Sequence, residues 1–173
     1  FSFALWDDQT SVLFCARDRF GIKPFYYTVV KDTLYLASEA KALLPFLPSI
    51  ETDIPGFRDY LTFQFCLGEK TMFQGIKSLP PGHCLRVERG ELKIFRYWEV
   101  FYDIDFERSE HYFENRIREL VDESASLHLR SDVPIGAYVS GGFDSSLVAT
   151  LASEKCSDPI LGFTGKFTDV KAR

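Results

Sequence analysis

The first third of the chain sets short apolar runs between tight polar turns. Phe1–Trp6, Val12–Ala16, Phe25–Val30 and Leu34–Ala37 read as strands, with Asp7-Asp8 and Lys31-Asp32 as turns. Ser38 is a fair N-cap, so Glu39–Leu44 reads as a short helix that Pro45 stops. Pro55 suits the first turn of a second helix, in which Phe57, Tyr60 and Leu61 recur at spacings of three and four. Each helix is expected to bury one face. Pro80-Pro81-Gly82 is a rigid turn, after which Cys84–Val87 and Leu92–Phe95 alternate around Arg89-Gly90 as a hairpin. The whole stretch reads as strand-rich α+β.

The pattern changes at Tyr102–Arg108, an acidic stretch without apolar periodicity that reads as a linker. Beyond it, Ser109 suits an N-cap, and Phe113, Ile117, Leu120, Val121 and Ser124 fall on one face of a helix running to about Leu129. Asp132 and Pro134 end it. Ile135–Val139 is a near-continuous apolar run of the kind a strand covered on both faces needs. Gly141-Gly142 break that strand, Ser145–Lys155 read as a helix, and Pro159–Thr164 as a further apolar strand. Strand, helix and strand at such short spacing predict a right-handed βαβ unit and a parallel sheet. The chain begins at Phe1 inside an apolar run and stops at Lys171-Ala172-Arg173 without a final element, which reads as a piece of a longer polypeptide.

Composition narrows the class. With 173 residues, 46% of them hydrophobic, and 17 Phe, the chain can fill a core and is not disordered. A net charge of -5 disfavours nucleic acid and anionic membrane surfaces as partners. No apolar run approaches the ~18 residues of a membrane span, and no signal-peptide order precedes the first strand, so a soluble, cytoplasmic protein is expected. Cys15, Cys66, Cys84 and Cys156 show no CxxC spacing, and His83, His111 and His128 are too scattered to complete a zinc site with them. Each cysteine reads as a small hydrophobe.

The segment that carries chemistry is Ser140-Gly141-Gly142-Phe143-Asp144-Ser145-Ser146, between an apolar strand and a helix. A helix N-terminus offers unpaired N–H groups and partial positive charge, and two glycines let the backbone curl close to an anion. The hydroxyls of Ser140, Ser145 and Ser146 add short neutral donors. No lysine precedes the serine pair, so this is not the loop that steadies a transferring γ-phosphate. Asp144 would repel phosphate unless a magnesium ion lay between them. The bland alternative is a Gly-Gly turn with Asp144 as an N-cap and surface serines; the complete string after a buried strand instead resembles the SGGxDS pyrophosphate loop of ATP-pyrophosphatase enzymes. Elsewhere, Arg17-Asp18-Arg19 reads as a satisfied turn with an ion pair, Ser38-Glu39 as a cap, His83 as a turn residue bonded to backbone, and His128 as favourably placed against a helix dipole without a catalytic role.

Several further motifs occur in order: Phe1-Ser2-Phe3-Ala4-Leu5-Trp6-Asp7, Ala16-Arg17-Asp18-Arg19-Phe20-Gly21-Ile22-Lys23-Pro24-Phe25-Tyr26-Tyr27, Ala37-Ser38-Glu39-Ala40-Lys41-Ala42-Leu43-Leu44, Leu79-Pro80-Pro81-Gly82-His83, Tyr97-Trp98, and Ser131-Asp132-Val133-Pro134-Ile135-Gly136. With the loop, they resemble the glutamine-hydrolysing asparagine synthetases and their close relatives over nearly the whole chain. The resemblance implies α+β followed by α/β: residues 1–100 as the C-terminal part of an N-terminal-nucleophile glutaminase, an αββα sandwich; 101–108 as a linker; and 109–173 as the first βαβ of a parallel-sheet ATP-pyrophosphatase domain of the adenine-nucleotide α hydrolase type. The family's nucleophilic cysteine and glutamine-binding residues match positions upstream of Phe1, so no catalytic residue is assigned here and Cys15 is not promoted to that role.

The same resemblance implies that Ser140, Gly141, Gly142, Phe143, Asp144, Ser145 and Ser146 bind pyrophosphate, with Asp144 on magnesium. It places Tyr138 and Val139 at the strand end that approaches adenine, and Thr164 and Gly165 at a second backbone contact. Phe143 and Tyr138 are bulkier than the family's usual aliphatic residues. The implied cofactors are ATP and Mg2+, the partners small molecules (ATP, aspartate, glutamine or ammonia), and a homodimeric parent enzyme is left open. The implied reaction is adenylation of the aspartate β-carboxylate followed by displacement of AMP by ammonia. Two alternatives remain: the same adenylation with another acceptor, as in relatives that close β-lactams, cyclise peptides or amidate cell-surface sugars, and a nucleotide-binding fragment without turnover.

Overall fold

A computed structural model describes residues 1–165; positions 166–173, with the predicted end of the second domain and Lys171–Arg173, lie outside the described residues. The chain divides into two compact units, the first being Phe1–Tyr102 and the second starting at Asp103. Among the described residues, no helix is long and apolar enough to cross a membrane.

In the first unit, β1 (Ser2–Asp7), β2 (Val12–Arg17), β6 (His83–Glu88) and β7 (Glu91–Arg96) form an antiparallel sheet in the order β1-β2-β6-β7. A second antiparallel sheet has the order β4-β3-β5, from β3 (Tyr26–Val30), β4 (Thr33–Ala37) and β5 (Lys77–Ser78). Period-two alternation places Leu13 and Cys15 of β2, Leu85 and Val87 of β6, Leu92 and Ile94 of β7, and Tyr27, Leu34 and Leu36 of β3 and β4 in one apolar cluster with Phe25 and Leu79. Two antiparallel sheets sharing such a cluster agree with the sheet layers of a glutaminase sandwich.

The short helices differ from expectation. Ala40–Phe46 is a 3-10 helix whose N-cap is Glu39, without a side-chain capping bond, so Ser38 does not cap it. Pro45 lies inside rather than ending it. Its flanking bonds run from Ala42 N–H to the Glu39 carbonyl and from Leu47 N–H to the Leu44 carbonyl, three residues back, and need nothing from the Pro45 nitrogen. Helix α1 (Ile54–Phe63) is capped by Asp53, which accepts from Gly56 N–H at 2.9 Å, and carries Pro55 in its first turn. It does not bury a face: Phe57, Tyr60 and Leu61 are exposed, and Gly56 is its buried residue.

The Arg17-Asp18 pair joins the sheets instead of forming an internal ion pair. Arg17 donates to the carbonyls of Leu79 (2.6 Å), Lys23 (2.9 Å) and Gly21 (2.9 Å) and to Ser78 Oγ (2.9 Å). Asp18 accepts from the N–H groups of Phe20 (3.1 Å), Ile22 (3.0 Å) and Lys23 (3.0 Å), while its own carbonyl accepts from Gly82 N–H at 3.0 Å. Gly82 accepts in turn from Tyr97 and Trp98. Its φ of +67° is left-handed, and a Cβ there would stand 2.5 Å from the Trp98 backbone oxygen. Gly82→Ala should therefore cost at least about 2 kcal/mol, read as a fall in the urea midpoint of the first unfolding transition. An unchanged midpoint would show that this turn relaxes freely.

In the second unit, helix α2 (Glu110–His128) starts as the sequence indicates, with Ser109 Oγ accepting Tyr112 N–H at 3.3 Å. It ends before Asp132, where Leu129 N–H reaches the Ala125 carbonyl. Its apolar residues Phe113, Ile117 and Leu120 remain exposed. Strands β8 (Gly136–Tyr138) and β9 (Leu161–Phe163) flank helix α3 (Phe143–Lys155) and pair in parallel, Gly136 opposite Leu161 and Tyr138 opposite Phe163. Both strands are shorter than predicted. The expectation that β8 is covered on both faces fails within the described residues: Gly136, Tyr138, Leu161 and Phe163 share an exposed face, whereas Ala137 is half-buried. Lys155 of α3 pairs with Asp122 of α2 at 2.7 Å.

Candidate functional site

Helix α3 begins two residues earlier than the sequence suggests, because Gly142 is its N-cap. Gly142 is extended (φ -78°, ψ 162°), and its carbonyl accepts Ser146 N–H at 3.1 Å. Asp144 therefore sits in the first turn rather than at the cap. The N–H groups of Phe143, Asp144 and Ser145 face the helix N-terminus without an acceptor among the described residues. Gly141 supplies the sharp turn: its φ is +84°, and no heavy atom lies within 4 Å of where a Cβ would be. This open backbone beside free N–H groups can receive an anion.

The parallel pairing brings the second predicted segment to the same place. Val139 N–H donates to the Phe163 carbonyl at 2.9 Å, and Thr164 Oγ1 donates to the Val139 carbonyl at 2.8 Å. Gly165 follows directly. Tyr138 and Phe143 are 89% and 81% exposed, so both bulky rings flank the loop without packing into it. Phe163, which the sequence did not single out, stacks obliquely on Tyr138 with ring centroids 6.0 Å apart. Only strand register could have revealed that neighbour.

The serines divide in a way the sequence does not show. Ser140 Oγ and Ser145 Oγ are 3.0 Å apart, Ser145 Oγ donates to the Gly142 carbonyl at 3.1 Å, and Ser140 N–H donates to Ser145 Oγ at 3.2 Å. These two hydroxyls bond within the loop rather than standing free as donors. Asp144, Ser145 and Tyr138 also line a cleft of about 480 Å³ with His128, Ala137 and Val148. His128 lies in the last turn of α2.

In the first unit, Cys15 and Cys84 are buried and Cys66 is half-buried. Cys15 is fully buried, and burial first, then neighbouring Cys84, pushes its thiol up to about 11. Burial likewise raises Cys84, and burial with the nearby Asp59 and Asp53 carboxylates raises Cys66. Glu39 pairs with Lys41 at 2.7 Å. His83 Nδ1 lies 2.7 Å from the Pro81 carbonyl, the backbone-bonded turn role expected of it.

Comparison with known proteins joins the two units. The glutamine amidotransferase domain family model matches residues 1–98, and the asparagine synthase model matches residues 116–173. Asparagine synthetase [glutamine-hydrolyzing] 1 of Bacillus subtilis is 35% identical over 155 residues, covering 89% of this chain and 24% of its own length. Asparagine synthetase [glutamine-hydrolyzing] 3 of the same organism is 36% identical over 161 residues, covering 88% of this chain and 25% of its own. Amidase chry2 of Gibberella zeae is 38% identical over 159 residues, covering 88% and 23%. The chain spans about a quarter of the length of these relatives. With the amidotransferase model matching more than half of it and the synthase model following in order, the chain belongs to the glutamine-hydrolysing asparagine synthetase family.

Proposed function

We propose that the chain carries the end of a glutaminase domain (1–100), a linker (101–108) and the start of an ATP-using synthetase domain (from 109), and that the β8–α3 loop binds the pyrophosphate portion of ATP. The observation that carries this is the free N-terminus of α3 beside the left-handed, open Gly141. In this reading Gly141, Gly142 and the N–H groups of Phe143, Asp144 and Ser145 surround the phosphates, while Ser146 adds a hydroxyl. Tyr138 and Val139, with Thr164 and Gly165, border the adenine side. The absence of a lysine from the loop favours departure of the whole pyrophosphate over γ-phosphate transfer.

The donor set suits magnesium. Asp144 is exposed in the first turn of α3, and its carboxylate, a hard oxygen donor of the kind magnesium takes, would hold the ion there. When bound, the ion would neutralise charge on the departing pyrophosphate. The chain's own contribution is to hold and orient the phosphates with backbone donors that need no proton transfer.

The reaction assigned to the full-length protein is ATP-dependent carbon–nitrogen ligation. The aspartate β-carboxylate is adenylated with loss of pyrophosphate, and glutamine-derived ammonia displaces AMP to give asparagine. Adenylation is needed because a carboxylate oxygen leaves poorly and AMP leaves well. The amidases among the relatives favour one second reading, the same activation with a different acceptor carboxylate. Product analysis by mass spectrometry of the full-length protein with ATP, magnesium, aspartate and either glutamine or ammonium tests both. Asparagine with stoichiometric AMP supports the first reading; ATP binding without asparagine moves the acceptor elsewhere.

A further inference from the structure

Helix α1 ends at Gln64, whose left-handed φ of +64° and N–H bond to the Tyr60 carbonyl (2.8 Å) turn the chain back. Gly68, at φ +67°, turns it again. Residues 64–68 form a strap that buries little: Phe65 and Leu67 are exposed, and Cys66 is half-buried. Polar contacts to α1 hold it instead. Asp59 of α1 accepts the Leu67 N–H at 3.0 Å and also pairs with Lys70, and Cys66 Sγ donates to the Gly56 carbonyl at 3.3 Å. Farther along, the chain is fastened to other elements: Ser78 N–H donates to the Glu69 carbonyl at 2.8 Å, and Asp53 N–H to the Met72 carbonyl at 3.0 Å. The strap thus runs between two fixed ends, with one carboxylate gripping it at two points. A stretch with so little apolar burial belongs to the low end of local stability.

Phe65 and Cys66 of the strap line a cleft of about 680 Å³ together with Arg17, Tyr26, Tyr60 and Ser78. That volume lies in the range that holds a small molecule. Arg17 is bonded to Ser78 Oγ and to three backbone carbonyls, so that side of the cleft is rigid. The strap is the side able to move. We propose that residues 64–68 are a movable wall of this cleft, and that Asp59, by gripping both Leu67 and Lys70, is the latch that keeps the cleft narrow.

The test is peptide-resolved alkylation of the full-length protein with N-ethylmaleimide, read by mass spectrometry, with hydrogen–deuterium exchange of 64–68 in parallel. Cys66 reports on the strap because it lines the cleft. Its reactivity also depends on charge: burial first, then Asp59 and Asp53, raise its pKa, and Lys70 lowers it. Lys70→Met, which keeps an unbranched stem, therefore separates the two effects by sign. Loss of the lysine charge alone leaves less thiolate and slows alkylation, whereas release of the strap speeds it. Alkylation of Cys66 should rise about threefold in Lys70→Met and about tenfold in Asp59→Ala, which also deprives the Leu67 N–H of its acceptor. Exchange at 64–68 should quicken in both variants while the amides of β2 and β6 keep their rates. In the unaltered protein, alkylation of Cys66 should not depend on urea below the unfolding transition, as local opening requires. Slower or unchanged alkylation in Lys70→Met overturns the proposal, as does a rate that climbs with urea or faster exchange that spreads to β2 and β6.

Discussion

Asp144→Ala in the full-length protein should lower magnesium-dependent pyrophosphate release by about 100-fold or more, the range seen when a group facing developing charge is removed. Asp144 is the acidic residue of the first turn of α3, next to N–H groups that favour anions. Its carboxylate helps phosphate binding only through a cation and otherwise repels it. The substitution therefore carries a sign: affinity for ATP should fall with magnesium present and rise when magnesium is chelated. Cys15→Ala is the control, since Cys15 is buried in the first unit's core and its thiol is held in the neutral form. Equal pyrophosphate release by the two variants would remove Asp144 from the site.

Asp18→Ala should cost about 3 kcal/mol of stability, because it deprives three N–H groups of one acceptor in a largely enclosed turn. Asp18 is 8% exposed, and the effect should appear as a lower urea midpoint at pH 7. Its pH dependence is also specified. Burial works to raise the Asp18 pKa, but N–H donation from Lys23 and Ile22 outweighs it and holds the carboxyl well below the usual range. A folded-state pKa below the unfolded value of about 3.9 contributes stability that is present above that pH and is lost as pH falls toward the folded value. The unaltered protein should thus lose stability between about pH 4 and pH 2, and Asp18→Ala should lose less over the same interval. Parallel losses would mean that Asp18 is equally satisfied in the unfolded chain.

Short-range chemistry was readable in advance. The Arg89-Gly90 hairpin joins β6 and β7, Pro55 lies in the first turn of α1, Ser109 caps α2, and a βαβ spacing produced a parallel strand pair. The string from Ser140 to Ser146 marked the turn into α3, with its left-handed Gly141, because glycine conformation and helix N-termini act over a few residues. Expectations failed where distant partners decide the outcome. The apolar stripes of α1 and α2 are real, yet burial of a stripe depends on what packs against it, and Phe57, Leu61, Ile117 and Leu120 stay exposed. The Arg17-Asp18-Arg19 turn was foreseen as satisfied, but Arg17 finds its acceptors at Ser78 and Leu79 rather than at its neighbour.

Composition, spacing and turn residues settled the order of elements, the family likeness and the position of the loop, since each depends on interactions within a few residues or within one hairpin. The pairing of Tyr138 with Phe163, the clasp of Thr164 on Val139 and the separation of Ser145 from Ser146 came from strand register and hydrogen-bond direction. A one-residue change of register would reverse the face of every side chain on β9, and a hydroxyl can point either way until its neighbours are placed.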